Sequence, residues 1–598
     1  MRDAAAGRHD RAARTWERLA STSTGPRRDA YLLDASRAWF NHGQAMKSLT
    51  VLRKVRGELP KNDVVIDMLL ATESLVANNP TQALQRLDSI APRVSDPYQP
   101  AYLELRARAH AMAGDAVKLI QALSARGALM SGDANISANH RLLWRSLREL
   151  SRKGHPLEAP VDANANVAGW LALANHYRNY RRNPVGLRQQ LADWQLAYPE
   201  HHATVITRDL FGPGIDELDF PSKVALLLPL DGRFSSAGIA VRDGFLAAYM
   251  DDTDNARRPV LSIYDTTSRD ATDVFKEAIS DGAQFVVGPL VKSSVEKLVS
   301  DNANGAMILA LNYLPGDLPA PSHLFQFSLA PEHEAAEAAR RALAQDLTRA
   351  VALVPDTDWG ARVLASFASE YERGGGILID HQGYNPGEKD FRMPITQLLN
   401  LNSSRARHRR VSSLAGEELE FEPRRRQDTQ LVFLAANADQ GRLLRPQLNF
   451  HYANDLPVFA TSAIFDNDTT RNRKDLDGIV FADAPWMISD DPLVIADRQL
   501  LTQYWPNRMK RSARLYAMGI DAYQLIPLLF AQRRPLETSW PGMTGVLSLE
   551  PGNRITRGLE AAQIKNGTLH YLPPLDEFDE PGMDPADSEP VVLQKSLQ

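Results

Sequence analysis

Two short motifs near the middle of the chain carry residue types that are used in serine acyl-enzyme chemistry. Ser294-Val-Glu-Lys297 matches S-x-x-K, and Ser300-Asp301-Asn302 matches S-D-N. In enzymes that use these motifs, they lie on separate elements and converge with a K-T-G strand. Here they are adjacent on one predicted helix, and the sequence has no K-T-G. The match therefore indicates coincidence, and we predict no catalytic residue.

The sequence lacks the signatures of several other kinds of chemistry. Its 598 residues include no cysteine, which excludes cysteine nucleophiles and thiolate metal sites, and its 14 histidines show no H-E-x-x-H spacing. P-loop, G-x-G-x-x-G and G-x-S-x-G motifs do not occur either. We therefore predict no metal and no cofactor. Because aromatic and basic residues do not interleave, we also predict no nucleic-acid partner.

A basic segment at Leu401–Gln430 is the most unusual stretch of the chain. It inserts about 30 residues between a predicted helix and a predicted strand, which is far above the usual loop length. We interpret it as a long loop with three alternative roles. The three roles are a solvated basic loop, a contact surface for an acidic partner, and an intradomain salt-bridge network. The last two follow from the ability of guanidinium groups to pair with carboxylates. The candidate partner-contact residues are Arg405, Arg407, Arg409, Arg410, Arg424, Arg425 and Arg426.

The elements around this segment follow a strand–helix rhythm that begins after Phe211. Near-continuous apolar runs between helical stretches are typical of parallel sheets that are covered on both faces. Two successive series of such runs predict two doubly wound lobes. The predicted strands are Val224–Leu230, Val260–Asp265, Phe285–Leu290, Met307–Leu311, Val351–Pro355, Ile377–Asp380, Leu431–Ala435, Val458–Thr461 and Ile479–Ala482, and the predicted helices are Ala237–Met250, Asp270–Ser280, Val291–Ser300, Gly360–Glu372, Asp390–Leu399 and Gln440–Phe450.

Two doubly wound lobes imply a cleft beyond the carboxyl ends of their strands, which is where ligands bind in such folds. Hydroxyl groups beside a helix N-terminus suit an anionic ligand. Two interpretations stay open: a small-ligand site, or a cleft that is only inherited architecture. The cleft candidates are Ser235, Ser236, Asp265, Lys292, Ser293, Asn312, Tyr313, Asp356 and Thr461.

The first part of the chain has a helical composition and a recurring turn. The turn lies at Gly43, Asn78 and Gly114, with spacings of 35 and 36 residues, close to the ~34-residue period of tetratricopeptide repeats. Gly or Asn is expected there to end a helix in the left-handed conformation. A chain of this length exceeds the ~250–300 residues of a single core. We predict a multidomain protein: an all-α TPR-like helical repeat domain at 1–215, serving as a docking surface or a spacer, an α/β two-lobed domain at 216–572, and an acidic, Pro-rich disordered tail at 573–598.

Several segments resemble known families. The resemblance covers essentially the whole chain, and it is strong after residue 220 and loose before it. One group resembles type I periplasmic binding proteins in a second-lobe helix, a late crossing helix and a closing hairpin. The other resembles the LpoA family, the outer-membrane lipoprotein activators of penicillin-binding proteins. The first group is Asn385–Phe391, Met518–Gln524 and Gly545–Gly552, and the second is Leu226–Arg233, Phe421–Asp428 and Ala561–Gly567.

The LpoA resemblance implies a non-enzymatic activator on the periplasmic side of the outer membrane. Its partner would be a bifunctional class A penicillin-binding protein near peptidoglycan, contacted through the second domain to stimulate transpeptidation. The chain as written has no leader, no lipidation cysteine and no run of ~18 apolar residues. We therefore expect membrane contact only through the lipid anchor of the family. The alternative is a periplasmic solute-binding or sensory protein that closes on a small amino-acid-like ligand.

Overall fold

The computed structural model describes residues 7–60, 63–178, 184–204, 207, 220–252, 258–316, 318–417, 420–466, 473–530, 540–572 and 575. The chain forms two compact units, the first mainly from Met1–Arg178 and Gln189–Asp209 and the second mainly from Leu210–Glu577. The tail expected at 573–598 lies outside the described residues, apart from Leu575.

The first unit is helical, as its composition predicts, and successive helices pack against each other as hairpins. Gly43, Asn78 and Gly114 all have positive φ, at 82°, 57° and 79°. The recurring turn therefore ends helices as expected, and Asn79 and Asp115 then cap the helices that follow. The helices are α1 His9–Ser21, α2 Gly25–Asn41, α3 Ala45–Leu52, α4 Val64–Val76, α5 Pro80–Ile90, α6 Gln99–Ala113, α7 Ala116–Ala128, α8 Asp133–Arg152, α9 Ala165–Arg178 and α10 Pro184–Ala197.

The second unit contains two sheets, which define two lobes. The first sheet has the strand order β11-β12-β13-β5-β4-β3-β1-β2, and the second has the order β15-β14-β10-β9-β8-β6-β7. Strands β1 to β5 and β6 to β10 pair in parallel within their sheets. The strands are β1 Lys223–Leu228, β2 Val260–Asp265, β3 Phe285–Val287, β4 Met307–Ala310, β5 Leu324–Phe327, β6 Arg349–Pro355, β7 Ile377–Tyr384, β8 Leu431–Leu434, β9 Val458–Ala460, β10 Ile479–Asp483, β11 Trp540–Pro541, β12 Val546–Glu550, β13 Arg554–Gly558, β14 Glu560–Lys565 and β15 Thr568–Leu572.

The chain passes between the two sheets three times, after β5, after β10 and after β13. This topology confirms the predicted fold class of a helical domain followed by a two-lobed α/β domain. The helices of the second unit are α11 Ser235–Asp251, α12 Ala271–Ser280, α13 Lys292–Ser300, α14 Pro331–Leu343, α15 Asp358–Arg373, α16 Arg392–Leu398, α17 Leu401–Ala415, α18 Ala438–Leu448, α19 Pro485–Ile488, α20 Pro492–Tyr504 and α21 Pro506–Phe530.

One expectation about the elements is wrong. The first half of the basic segment is the helix α17 and not a loop. Its apolar content is low, so it lacks the periodic apolar stripe by which helices are recognised. The helix ends at Gly416, whose φ of 70° is left-handed.

Helices α11 and α21 cross at very short range. A β-carbon on Gly519 would lie 2.1 Å from the main-chain oxygen of Val241, and one on Gly244 would lie 1.9 Å from that of Tyr516. Two glycines at one crossing let the backbones touch, which side chains would prevent. This contact between α11 and α21 fixes the second half of the long connection between β10 and β11 against the first lobe.

Candidate functional site

The cleft candidates of the first lobe lie at the carboxyl ends of its strands, as predicted from the alternation. Asp265 ends β2, and its Oδ1 accepts hydrogen bonds from Leu230 N at 2.9 Å and from Thr267 N and Oγ1 at 2.9 and 2.6 Å. These bonds lower the pKa of the Asp265 carboxyl. The side chain therefore ties the loop after β1 to the loop after β2.

Of the candidates after β3 and β4, two are exposed and two make hydrogen bonds within the protein. Lys292 and Ser293 are exposed in the first turn of α13. Asn312 Nδ2 donates to Leu290 O at 3.2 Å, and Tyr313 Oη donates to Ile555 O at 2.6 Å. Asn312 and Tyr313 thus fix neighbouring loops and strands. Ser235 and Ser236 begin α11, and neither caps it through its side chain.

The two candidates of the second lobe differ in exposure. Asp356 follows β6 and is exposed, and its main-chain N–H donates to Tyr384 O at 2.9 Å. Thr461 follows β9 and is fully buried. No hydrogen bond recorded among the described residues joins Asp356 or Thr461 to a candidate of the first lobe.

A buried ionic network lies where the chain crosses between the lobes, and the sequence did not reveal it. Glu334 of α14 accepts a hydrogen bond at Oε2 from Ser462 N at 2.9 Å. Its Oε1 lies 4.0 Å from Nη2 of Arg557, which comes from β13 in the first-lobe sheet. Both side chains are buried. Arg557 also donates to Ala330 O, just before α14, so this pair joins the first and third crossings.

A second ion pair lies beside the first. Arg514 of α21 binds Asp483 at the end of β10 through two bonds, Nε to Oδ1 at 2.8 Å and Nη2 to Oδ2 at 2.6 Å. Its Nη2 also donates to the main-chain oxygens of Ser462 and Phe465. Such a two-bond arginine–carboxylate pair fixes orientation as well as charge. It ties the second crossing to the second-lobe sheet.

The charges of the network explain the titration of its glutamate. Asp521 of α21 adds a third buried carboxylate whose charge acts on Arg557, so Glu334, Asp483 and Asp521 face Arg514 and Arg557. Burial, together with the charge of Asp483, raises the pKa of Glu334 to about 7. The arrangement holds elements together.

The basic candidates separate into two classes. Arg426 is 9% exposed and pairs with Asp380 at 3.1 Å and with Asp428 at 2.8 Å, and its main-chain N–H donates to Leu399 O. The hydrogen bond from Arg426 also lowers the pKa of Asp428. Arg425 pairs with Asp455. These two arginines belong to an intradomain salt-bridge network, which was one of the three alternatives.

The other basic candidates are presented outward. Arg407, Arg409 and Arg410 are exposed along α17, Arg405 is half-buried on the same helix, and Arg424 is exposed on the segment that returns from it. The charge of Arg405 acts on the nearby His451 and lowers its pKa, after the larger effect of burial. These residues form the surface of this unit that the fold does not use internally.

The described residues provide neither a metal site nor a membrane span. No group of three or more histidine or acidic side chains there is arranged to hold a metal ion. Among the same residues, none of the helices is both long and apolar enough to span a membrane.

Two parallel-sheet lobes joined by three crossings, after a helical repeat, define a type I periplasmic-binding-protein-like protein with an added helical domain. Residues 12–567 match the family model described as "LppC putative lipoprotein". The chain belongs to this family, and the resemblance to LpoA proteins noted in the sequence is confirmed.

Named relatives agree with the family match. "Penicillin-binding protein activator LpoA" of Photobacterium profundum is 30% identical over 418 residues, which cover 69% of this chain and 67% of that protein. The protein of the same name from Vibrio antiquarius is 31% identical over 405 residues, covering 66% of each. The chain thus spans about two thirds of the length of these relatives. The solved full-length LpoA of Haemophilus influenzae is 22% identical with a TM-score of 0.47, covering 94% of this chain and 98% of that one.

Proposed function

We propose that this protein is a non-enzymatic activator of a penicillin-binding protein. The observation that carries the proposal is the similarity to proteins named penicillin-binding protein activators, at 30–31% identity over about two thirds of the chain. Three of the cleft candidates support it, because Asp265, Asn312 and Tyr313 are engaged in hydrogen bonds within the protein. The partner is a class A synthase, and the activator raises its transpeptidation from a lipid-anchored position at the outer membrane.

The test uses the full chain and the purified periplasmic region of a class A penicillin-binding protein. We expect saturable binding and, with lipid II as substrate, more cross-linked product when the activator is added at equal concentration. A monofunctional transpeptidase of the same cell serves as the control for class specificity and should be unaffected. Absence of binding to every class A synthase of the source cell would end the proposal.

A thermal-shift screen separates this function from solute binding. A ligand at 100 times its Kd stabilises its receptor by about 2.7 kcal/mol, which is easily measured. We expect no such shift with amino acids or muropeptides. A saturable shift together with unchanged cross-linking would favour the solute receptor. Fractionation of the source cell tests the outer-membrane location.

A further inference from the structure

Helix α17 leaves most of its surface outside the protein core. Among its residues only Leu401 and Ser404 are fully buried. The segment that returns from it covers one side through a hydrogen bond and a ring contact: Arg424 N donates to Ser404 Oγ at 3.3 Å, and the Phe421 ring stacks on His408 with 4.2 Å between the ring centroids. A surface helix normally buries an apolar stripe in its own core. In α17, Leu401 at the first position is the buried apolar residue, and Val411 and Leu414 are exposed.

Four exposed residues form what we name the α17 outer face: Arg407, Arg410, Val411 and Leu414. Their spacing is i, i+3, i+4 and i+7, which places them on one side of a helix. Val411 is 52% exposed and Leu414 is 83% exposed. This face borders the side that carries Ser404 and His408, because Val411 lies seven residues after Ser404 and three after His408, and its own four residues stay exposed.

Helix α17 also carries positive charges, two of them on the outer face, that have no ion-pair partner among the described residues. Within the part of the chain that the structure describes, no ion pair is recorded for Arg407, Arg409 or Arg410. Arg425 and Arg426, from the same segment, are both paired with aspartates. Electrostatic complementarity therefore calls for carboxylates on whatever covers the helix.

We propose that the α17 outer face docks into an apolar groove bordered by carboxylates on the penicillin-binding protein. This proposal rests on the proposed function and names the surface that performs it. A helix that presents two exposed apolar side chains about one turn apart, Val411 and Leu414, beside arginines on the same face suits helix-in-groove recognition. Arginine is enriched at protein interfaces and among the residues that contribute most to binding. An anionic polymer would need the cations but would have no use for Val411 and Leu414.

The test measures the Kd of the full chain for the synthase's periplasmic region. The two test variants are Arg407→Glu/Arg410→Glu and Leu414→Asp. The control, Lys276→Glu/Lys565→Glu, makes the same charge change at two exposed lysines of α12 and β14. We expect both test variants to weaken binding about tenfold or more and the control to stay within about twofold. Arg407→Lys/Arg410→Lys keeps the charge and should retain most of the wild-type affinity for the synthase.

The outcomes separate this inference from the proposed function. If the wild-type chain does not bind the synthase, both fail. If it binds and the test variants bind as tightly as the control, the docking face is refuted and the activator function stands. If the variants instead lose self-association in sedimentation, or binding to isolated peptidoglycan, while synthase binding is unchanged, the face belongs to a second copy or to the polymer and the inference is wrong. Thermal melts of each variant exclude unfolding as the cause.

Discussion

Asp521 joins the long helix α21 to the loop before β12, and its replacement should destabilise the second unit. Its Oδ1 accepts a hydrogen bond from Met543 N at 2.6 Å, and its Oδ2 accepts from Thr544 N at 2.8 Å and from Thr544 Oγ1 at 2.6 Å. All three residues are buried. Asp521→Ala would therefore leave three donors without water or a partner, and it would also remove a negative charge near Arg557.

The expected loss follows from these contacts. A hydrogen bond to a charged group contributes about 1.5–3 kcal/mol, and each orphaned buried donor costs about 1–3 kcal/mol, with incomplete additivity. We expect about 3–5 kcal/mol for Asp521→Ala. In Asp521→Asn, an amide nitrogen replaces one carboxylate oxygen and faces an N–H or O–H donor. The loss of that hydrogen bond lowers the free energy of unfolding by about 2 kcal/mol. For a unit of roughly 370 residues, an unfolding entropy of about 2.1 cal/mol/K per residue converts the alanine loss into a fall in Tm of about 4–6 °C.

Calorimetry of the full chain measures the change in Tm, and hydrogen exchange localises it. The amide protons of Met543 and Thr544 should lose protection before those of the central strands. Thr544→Val removes one of the three donors and completes a double-mutant cycle, in which we expect a coupling of about 1.5–3 kcal/mol. A fall in Tm below about 1 °C for Asp521→Ala, or no coupling to Thr544, would refute this account of the loop.

Three further predictions concern packing, pH and the salt-bridge network. Gly519→Ala should cost about 1–3 kcal/mol because the β-carbon meets main-chain oxygen at 2.1 Å, whereas Gly316→Ala, with nothing within 4 Å, should be neutral in the same melt. Since the pKa of Glu334 rises from 4.5 to about 7 on folding, its contribution is fully present below pH 4.5 and is lost as the pH rises through 7. Glu334→Gln should therefore reduce the difference between wild-type Tm at pH 5 and pH 8, and an unchanged difference would exclude this group. Arg426→Ala should lower the free energy of unfolding in urea by about 1–2 kcal/mol, a modest loss because its carboxylate partners are partly exposed. Arg409→Ala makes an equal charge change and should lower it hardly at all. Equal losses in the two variants would contradict the division into paired and outward-facing arginines.

The fold was largely predictable because its strands are short apolar runs between helices. The run Val260–Asp265 has the same bounds in the structure. Strand β5, Leu324–Phe327, was missed because its apolar run is interrupted by Gln326, a buried polar residue that accepts from Leu314 N and donates to Gly552 O. Such a strand depends on partners far away in the sequence. Helix α17 was missed because it has no periodic apolar stripe: Leu401 is buried, whereas Val411 and Leu414 are exposed.

The site was less predictable than the fold. Loop positions at strand ends follow from the alternation alone, so Asp265 and Tyr313 were identified as lying at the cleft edge. Their bonding was not predictable, because the partners of Tyr313 include a main-chain oxygen of β13, more than two hundred residues later. The buried network draws on four elements, and single charged residues in apolar stretches give no signal of which others they will meet.

The position of that network bears on how the lobes can behave. Glu334 follows the first crossing, Arg514 and Asp521 lie in the second, and Arg557 directly precedes the third. A solute receptor that opens and closes must change the geometry at its crossings. Here such a change would move Glu334 away from Arg557, and it would break the hydrogen bond from Arg557 to Ala330 O. The pair of Arg514 and Asp483 lies within the second lobe and would stay intact. The contacts of Arg557 therefore oppose opening, which suits a protein that presents a fixed surface such as the α17 outer face to a partner.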